Sequence, residues 1–233
     1  MGNGQRYRLG WARVRDLVEQ LPDDMAVPST PDWNLLQLLA HLTGAAADLT
    51  GENAGDWSLP HWTAAQVETR RSRSRAELFD EWRDRIDGVV ARVDDPAAFG
   101  LHEAFSRMPV IDLVGHEHDI AEAAGLPAAI EHEDWMVLHE HRRVNLDGAV
   151  RDAGLPALQV VTPEGDDWVV GDGEPAASVT LPRHELWRSL TGRRTRAHVA
   201  GHDWSVDPAP YIAVWVGGTF SWPAADARDL QAD

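Results

Sequence analysis

An imidazole at residue 41 and a carboxylate–imidazole pair at residues 112 and 116 carry the clearest chemistry in this sequence. His41 closes an apolar, helix-like run, WNLLQLLAHL, and Asp112 and His116 stand four apart in a second run, VIDLVGHEHDIAEAAG. Residues four apart share one helix face, one turn above the other. If the two helices meet, two imidazoles and one carboxylate supply three ligands and leave a fourth position open, the usual plan of a catalytic zinc site. Neutral imidazole with carboxylate suits zinc and other divalent first-row ions. Asp119 extends the Asp112/His116 face by almost another turn, where a carboxylate can fix an imidazole tautomer. His118 points elsewhere, about 200° around the helix from His116. The same spacing also fits an interior, hydrogen-bonded His41 and a surface Asp–His pair. The metal reading therefore depends on the two helices converging.

Composition narrows the alternatives. The chain has 233 residues, 43% of them hydrophobic, with eleven Trp, enough to bury a core in one large domain or two modest ones. Its formal charge is -17, from 38 acidic and 21 basic residues, and since the sequence contains no Lys every basic residue is Arg. A net-acidic surface repels phosphate backbones, so nucleic acid is not an expected partner. With no Cys, disulfides, a protein thiol nucleophile and thiolate metal ligands are all excluded. No apolar run approaches the roughly 20 residues that span a bilayer. The N-terminus, MGNGQRYRLGW, lacks a signal-peptide core, and it has Arg at position 6 where myristoylation requires Ser or Thr. The expectation is a cytoplasmic protein that does not engage membranes. The sequence does not specify an oligomeric state.

Two textures follow each other along the chain. Periodicity predicts helices over 5–21 (Leu9, Ala12, Val14, Leu17, Leu21), over a segment from about Leu35 to Leu42 capped by Ser29, Thr30 or Asp32, over 73–94 (Leu78, Trp82, Ile86, Val89 and Val93 inward), over 109–124 stopping at Gly125, and over 131–152. Residues 51–72, rich in Gly, Trp and Thr, read as an irregular loop in which Trp57 and Trp62 are candidate ligand covers. From about residue 155, LQVVTP, DWVVGDG, ASVTL and TRAHVAG read as short strands, and LPRHELWRSLTGR reads as a short helix ending at Gly192. The expected fold class is α+β: a helical bundle over 1–154 and a small α/β domain over 155–233. Arg142, Arg143 and Asn145 could line a seam between the two domains, but they read mostly as a solvated helix face. His184, His198 and His202 are further polar candidates, with simple solvation the plainer reading of each.

Three segments resemble a known family in the order in which it uses them. TPDWNLLQLLAHLTG is similar to the Trp–(Ser/Thr)…His segment of the mycothiol-dependent maleylpyruvate isomerase family, a branch of the DinB-like metal-binding four-helix bundles. VIDLVGHEHDIAEAAG resembles its later acidic–His–Asp segment, and LWRSLTGRR resembles a segment of its C-terminal domain. The resemblance implies a DinB-like four-helix bundle followed by a small C-terminal domain. It implies a divalent metal, zinc by default, on His41, Asp112 and His116, and mycothiol, a small thiol, as cosubstrate. It places the family's catalytic arginine on Arg193, with Arg194 a one-residue alternative; an Arg there also fits a simple role in complementing the helix dipole. The sequence departs from the pattern at Asp112, where the family often has Glu, at His118, where it often has Trp, and at Asn34, where Ser or Thr is common.

The expected activity is metal-dependent activation of a thiol for transfer to a small electrophile or for its isomerisation, with Arg193 clamping a substrate carboxylate and steadying an enolate. Two other outcomes fit the same residues: a non-catalytic metal- or thiol-binding module, and a metal-dependent hydrolase of a small-molecule conjugate with water in the open position.

Overall fold

A computed structural model describes residues 1–52, 62–127, 132–217 and 220–223. The described chain divides into two compact units, Met1–Asp134 and Trp135–Asp233.

The first unit is built from helices α1 (Asn3–Val18), α2 (Leu35–Ala47), α3 (Trp62–Arg70), α4 (Arg75–Asp94) and α5 (Met108–Ala123). Helix α1 packs on α4 and α5, and α2 packs on α3, α4 and α5. Being enclosed on several sides, α2 buries Leu35, Leu38, Leu39 and Leu42 almost completely, each worth roughly 1.5–3 kcal/mol of burial. The inward set expected for α4, Leu78, Trp82, Ile86, Val89 and Val93, is buried as the periodicity predicts. Helix α5 ends where expected, with Gly125 at φ 65°, a left-handed conformation that suits glycine.

Three expectations for this unit need correction. The cap of α2 is Asn34, not Ser29, Thr30 or Asp32. Its side chain accepts from the Gln37 N–H at 2.9 Å while Gln37 Oε1 accepts from the Asn34 N–H at 2.9 Å. Asn, Ser and Thr can all fill that role. The buried face of α1 is Gly4, Arg6, Tyr7, Gly10, Val14 and Val18, and Leu9 is exposed. Of the expected set Val14 is buried and Ala12, Leu17 and Leu21 are half-buried, but the face is centred on residues that hydrophobic periodicity does not count, because Gly4 and Gly10 admit Asp94 and Leu113 closely. Residues 62–70 are helical and not loop. Their inward residues are Gln66, Val67 and Arg70, and two polar residues of three leave no apolar stripe to read. Trp57 lies outside the described residues.

The second unit takes most of α6 (His132–Asp152) and then β1 (Leu158–Val161), β2 (Asp167–Val170), β3 (Ala177–Thr180), α7 (Arg183–Leu190), α8 (Arg196–Ala200), β4 (Asp203–Trp204) and α9 (Ala209–Trp215). The four strands form one mixed sheet in the order β2-β1-β3-β4, with β1 antiparallel to β2 and parallel to β3, and β3 antiparallel to β4. Leu146 and Val150 of α6 join Leu158, Val160, Val179, Leu186 and Trp215 in its core. The first three expected strands are present. The fourth, TRAHVAG, is instead helix α8, with Thr195 accepting from the His198 N–H at 3.2 Å as its cap. The weak alternation of this segment does not outweigh a Thr cap. The sequence texture changes near residue 155, whereas contacts group α6 from Trp135 onward with the sheet.

Candidate metal centre

Helices α2 and α5 converge so that His41, Asp112 and His116 each present a ligand atom within 4.8 Å of the other two. His41 Nε2 lies 3.5 Å from Asp112 Oδ2, and His116 Nε2 lies 3.5 Å from Asp112 Oδ1. Both imidazoles are buried, at 3% and 7% exposure, while the Asp112 side chain is 39% exposed and faces the accessible side.

The far nitrogens fix the tautomers. His116 Nδ1 is 2.9 Å from Asp119 Oδ2, a fully buried carboxylate. A carboxylate only accepts, so Nδ1 carries the hydrogen and Nε2 of the neutral ring presents its lone pair toward Asp112. A longer chain gives the same result at His41. Gln66 Nε2 donates to Asp48 Oδ2 at 2.6 Å, which turns the Gln66 carbonyl toward His41 Nδ1 at 2.7 Å. That carbonyl only accepts, so His41 also donates through Nδ1 and offers the lone pair of Nε2. Two imidazole lone pairs and a carboxylate thus face one point, and a cation is what such a point stabilises. A proton can play the part at His41. Burial works against a charged ring there, but the Asp112 charge and hydrogen bond, with help from Gln66 and Asp48, outweigh it and hold the pKa above the ordinary 6.5. A divalent ion meets the same donor set with chemistry that suits it.

Aromatic rings frame the pair. Trp33 stacks on His41 at 5.0 Å between centroids, Trp62 meets His41 edge-on at 6.4 Å, and the two imidazoles meet edge-on at 5.1 Å. Gly44 lets α3 come this close to α2, since a Cβ at that position would lie 2.5 Å from Gln66 Cβ.

Residues 7–121 match the family model described as the mycothiol maleylpyruvate isomerase N-terminal domain. The match lies within the first unit. Two solved structures share the fold: a crystal structure of the mycothiol-dependent maleylpyruvate isomerase, at a TM-score of 0.53, and one of a histidine-to-alanine mutant of that enzyme, at 0.58. Each is 14% identical in sequence, and each alignment covers 88% of this chain and 92% of the other. At that identity the likeness is one of fold. No curated protein sequence matches the chain.

All three expected ligands lie inside the matched mycothiol maleylpyruvate isomerase N-terminal domain, as do the residues that sequence reading missed. Gln66 and Asp48 were missed because α3 was read as loop; the four-residue spacing of Trp62 and Gln66 in WTAAQ was the available signal. Glu117 is another: it takes a bidentate pair from Arg13 at 2.9 Å and ties α1 to α5.

Arg193 lies in the second unit, half-buried, with one Nη donating to the Thr191 carbonyl at 2.8 Å and its guanidinium 5.8 Å from the Phe220 ring. Arg194 is fully buried and committed to Glu185 through bonds of 2.8 and 3.2 Å, which removes it as an alternative clamp. Glu185, His198 and His202 also come within 4.8 Å of one another. Glu185 already bonds Arg194 and, at 3.0 Å, His198, so a guanidinium holds the place an ion would need. We read this cluster as an ion-paired tie between α7 and α8. Arg142 corrects the solvated-face expectation: it is buried, donates to the Gly217 carbonyl at 3.2 Å, lies 5.1 Å from the Phe220 ring, and burial pushes its pKa down to about 10.

Proposed function

We propose that this chain is a metal-dependent enzyme that uses mycothiol, activating the thiol for transfer to a small electrophile or for its isomerisation. The observation that carries this reading is the convergence of the His41 and His116 Nε2 lone pairs on the Asp112 carboxylate, each imidazole fixed from behind by an acceptor. A divalent ion held there, zinc by the character of the donors, would supply an open position at which a thiol ionises. The family matched over residues 7–121 supports the choice of thiol, and a chain without Cys must import its sulfur nucleophile.

Magnitudes divide the work. A thiol of pKa about 8.5 is roughly 3% ionised at pH 7. Complete ionisation therefore raises the nucleophile's population only about 30-fold, and a lower pKa makes the thiolate less nucleophilic. Most of the acceleration has to come from holding sulfur and electrophile together, where effective molarities can reach about 10⁵ M or more. Asp119 and Gln66 contribute by holding both rings in one orientation, and packing shields the two imidazoles themselves from water. In transfer, a sulfur–carbon bond forms and the electron pair displaced from the electrophile takes up a proton. In isomerisation, the same addition to a cis-alkene conjugated with a carbonyl puts that pair on the carbonyl oxygen as an enolate. Rotation about the resulting single bond and expulsion of the thiolate then give the trans product.

The test is metal analysis of purified protein with turnover assays, with and without added mycothiol. Near-stoichiometric metal, together with loss of both metal and thiol-dependent turnover in His41→Ala, supports the proposal. Activity retained after metal stripping refutes it, and turnover of amide or thioester conjugates without thiol would make the protein a hydrolase.

A further inference from the structure

We infer that the cavity beside Asp112 in the first unit seats the second substrate, and that it selects a small, uncharged carbonyl compound over a carboxylate. The inference rests on the metal-centre reading above and adds to it the class of electrophile. The cavity holds about 100 Å³. A void of about 150 Å³ lined by aliphatic and aromatic groups holds benzene, so this smaller one suits a short chain of a few heavy atoms rather than a six-membered ring. Its wall is formed by Tyr7 of α1, Leu42 and Ala45 of α2, Trp62 of α3, and Met108 and Leu113 of α5. Asp112 is also part of that wall, so one of the three converging ligand groups borders the cavity.

Charge decides what can enter. Among the described residues that line the cavity, Asp112 is the one ionised side chain, and no Arg is among them. A carboxylate moved into this space would give up its hydration, find no cationic partner among those residues and approach another carboxylate. A dication at the centre does not change this once the thiol is present, because Asp112 and one thiolate together balance its two charges. An uncharged apolar molecule has no such cost, and the Leu42, Met108 and Leu113 side chains reward its burial.

Tyr7 adds one polar contact. Its hydroxyl accepts from Trp82 Nε1 at 2.9 Å, and no acceptor for its own proton occurs among the described residues. Burial and the Asp112 charge keep the phenol protonated, the Trp82 bond opposing them only in part. A phenol O–H that still lacks an acceptor suits a ligand carbonyl oxygen. The same proton would meet the oxygen on which negative charge collects when a thiolate adds to a conjugated carbonyl.

The experiment is calorimetric titration of the protein with methyl vinyl ketone and with maleate, in metal-free and zinc-loaded forms without thiol. The absence of Cys means that the enone has no protein thiol to alkylate. The enone should bind both forms, and maleate should bind the metal-free form at least tenfold more weakly. Ala45→Phe, which fills the cavity from a half-buried position, should abolish enone binding while zinc content stays unchanged. Tyr7→Phe, a milder change that keeps the ring, should weaken enone binding roughly fivefold, the worth of one hydrogen bond. Maleate binding to the metal-free protein as tightly as the enone, or enone affinity unchanged in both variants, overturns the inference. Enone binding with the expected variant effects in a protein that takes up no zinc would uphold the cavity's selectivity while refuting the metal centre.

Discussion

Replacing Gln66 with Leu removes the group that sets the tautomer of His41 without touching any proposed ligand. In the intact protein Gln66 accepts from His41 Nδ1 at 2.7 Å and donates to Asp48 at 2.6 Å. Leu has a similar volume and fills the space, but it leaves the buried Nδ1–H without its acceptor and takes one donor from Asp48, which is 4% exposed. Losing the partner behind a metal-binding imidazole usually weakens the metal about 10- to 100-fold, or about 1.4 to 2.7 kcal/mol. The stranded polar groups cost about 1–3 kcal/mol of folding stability. Competition against a chromophoric zinc chelator reads the first quantity, and thermal unfolding of the metal-free protein reads the second. Asp119→Asn is the matched perturbation behind His116, and since both rings face the same carboxylate the two effects on affinity should couple rather than simply add. Zinc affinity within twofold of wild type in a properly folded Gln66→Leu protein would refute the argument that the α3 residue orients the centre.

Other outcomes follow from the same geometry. Proton and metal compete for His41 Nε2, and the Asp112 charge holds the His41 pKa above 6.5. Zinc affinity measured across pH should therefore begin to fall, on acidification, at a pH above the ordinary imidazole value. The metal-free protein should behave in the opposite sense, gaining stability below the unfolded pKa of about 6.5 and losing it as pH rises through the folded value; a melting series with chelator present checks this. Arg194→Ala strips a fully buried cation from Glu185 and should cost about 3 kcal/mol, lowering the melting temperature by about 6–12 °C. The half-buried Arg193→Ala should change it by under about 3 °C, so a large loss of kcat/KM in that variant would mark a role in the reaction. Asn34→Ala should cost about 1 kcal/mol in chemical denaturation, and Asn34→Ser should restore it.

How much of this was legible in the sequence depends on the kind of signal each residue leaves. Asp112, His116 and Asp119 are set by helix geometry alone: once α5 is a helix, residues three and four apart must share a face. The apolar stripe of α4 and the glycine stop of α5 are local in the same way, and together with the motif segments they carry the α+β class and the proposed ligand set. Contacts between distant segments leave no such mark. Gln66 reaches His41 because Gly44 admits α3, Tyr7 meets the cavity because α1 buries a glycine-rich side, and Arg142 is enclosed although its helix reads as polar. Each of these is a polar or small residue whose burial depends on its neighbours in space. Periodicity, which weighs each residue by its own hydrophobicity, assigns such positions to solvent. The sequence alone determined that α2 and α5 are helices and which of their faces could hold an ion, and tertiary packing alone decided which nitrogen of each imidazole faces inward and what kind of molecule fits beside it.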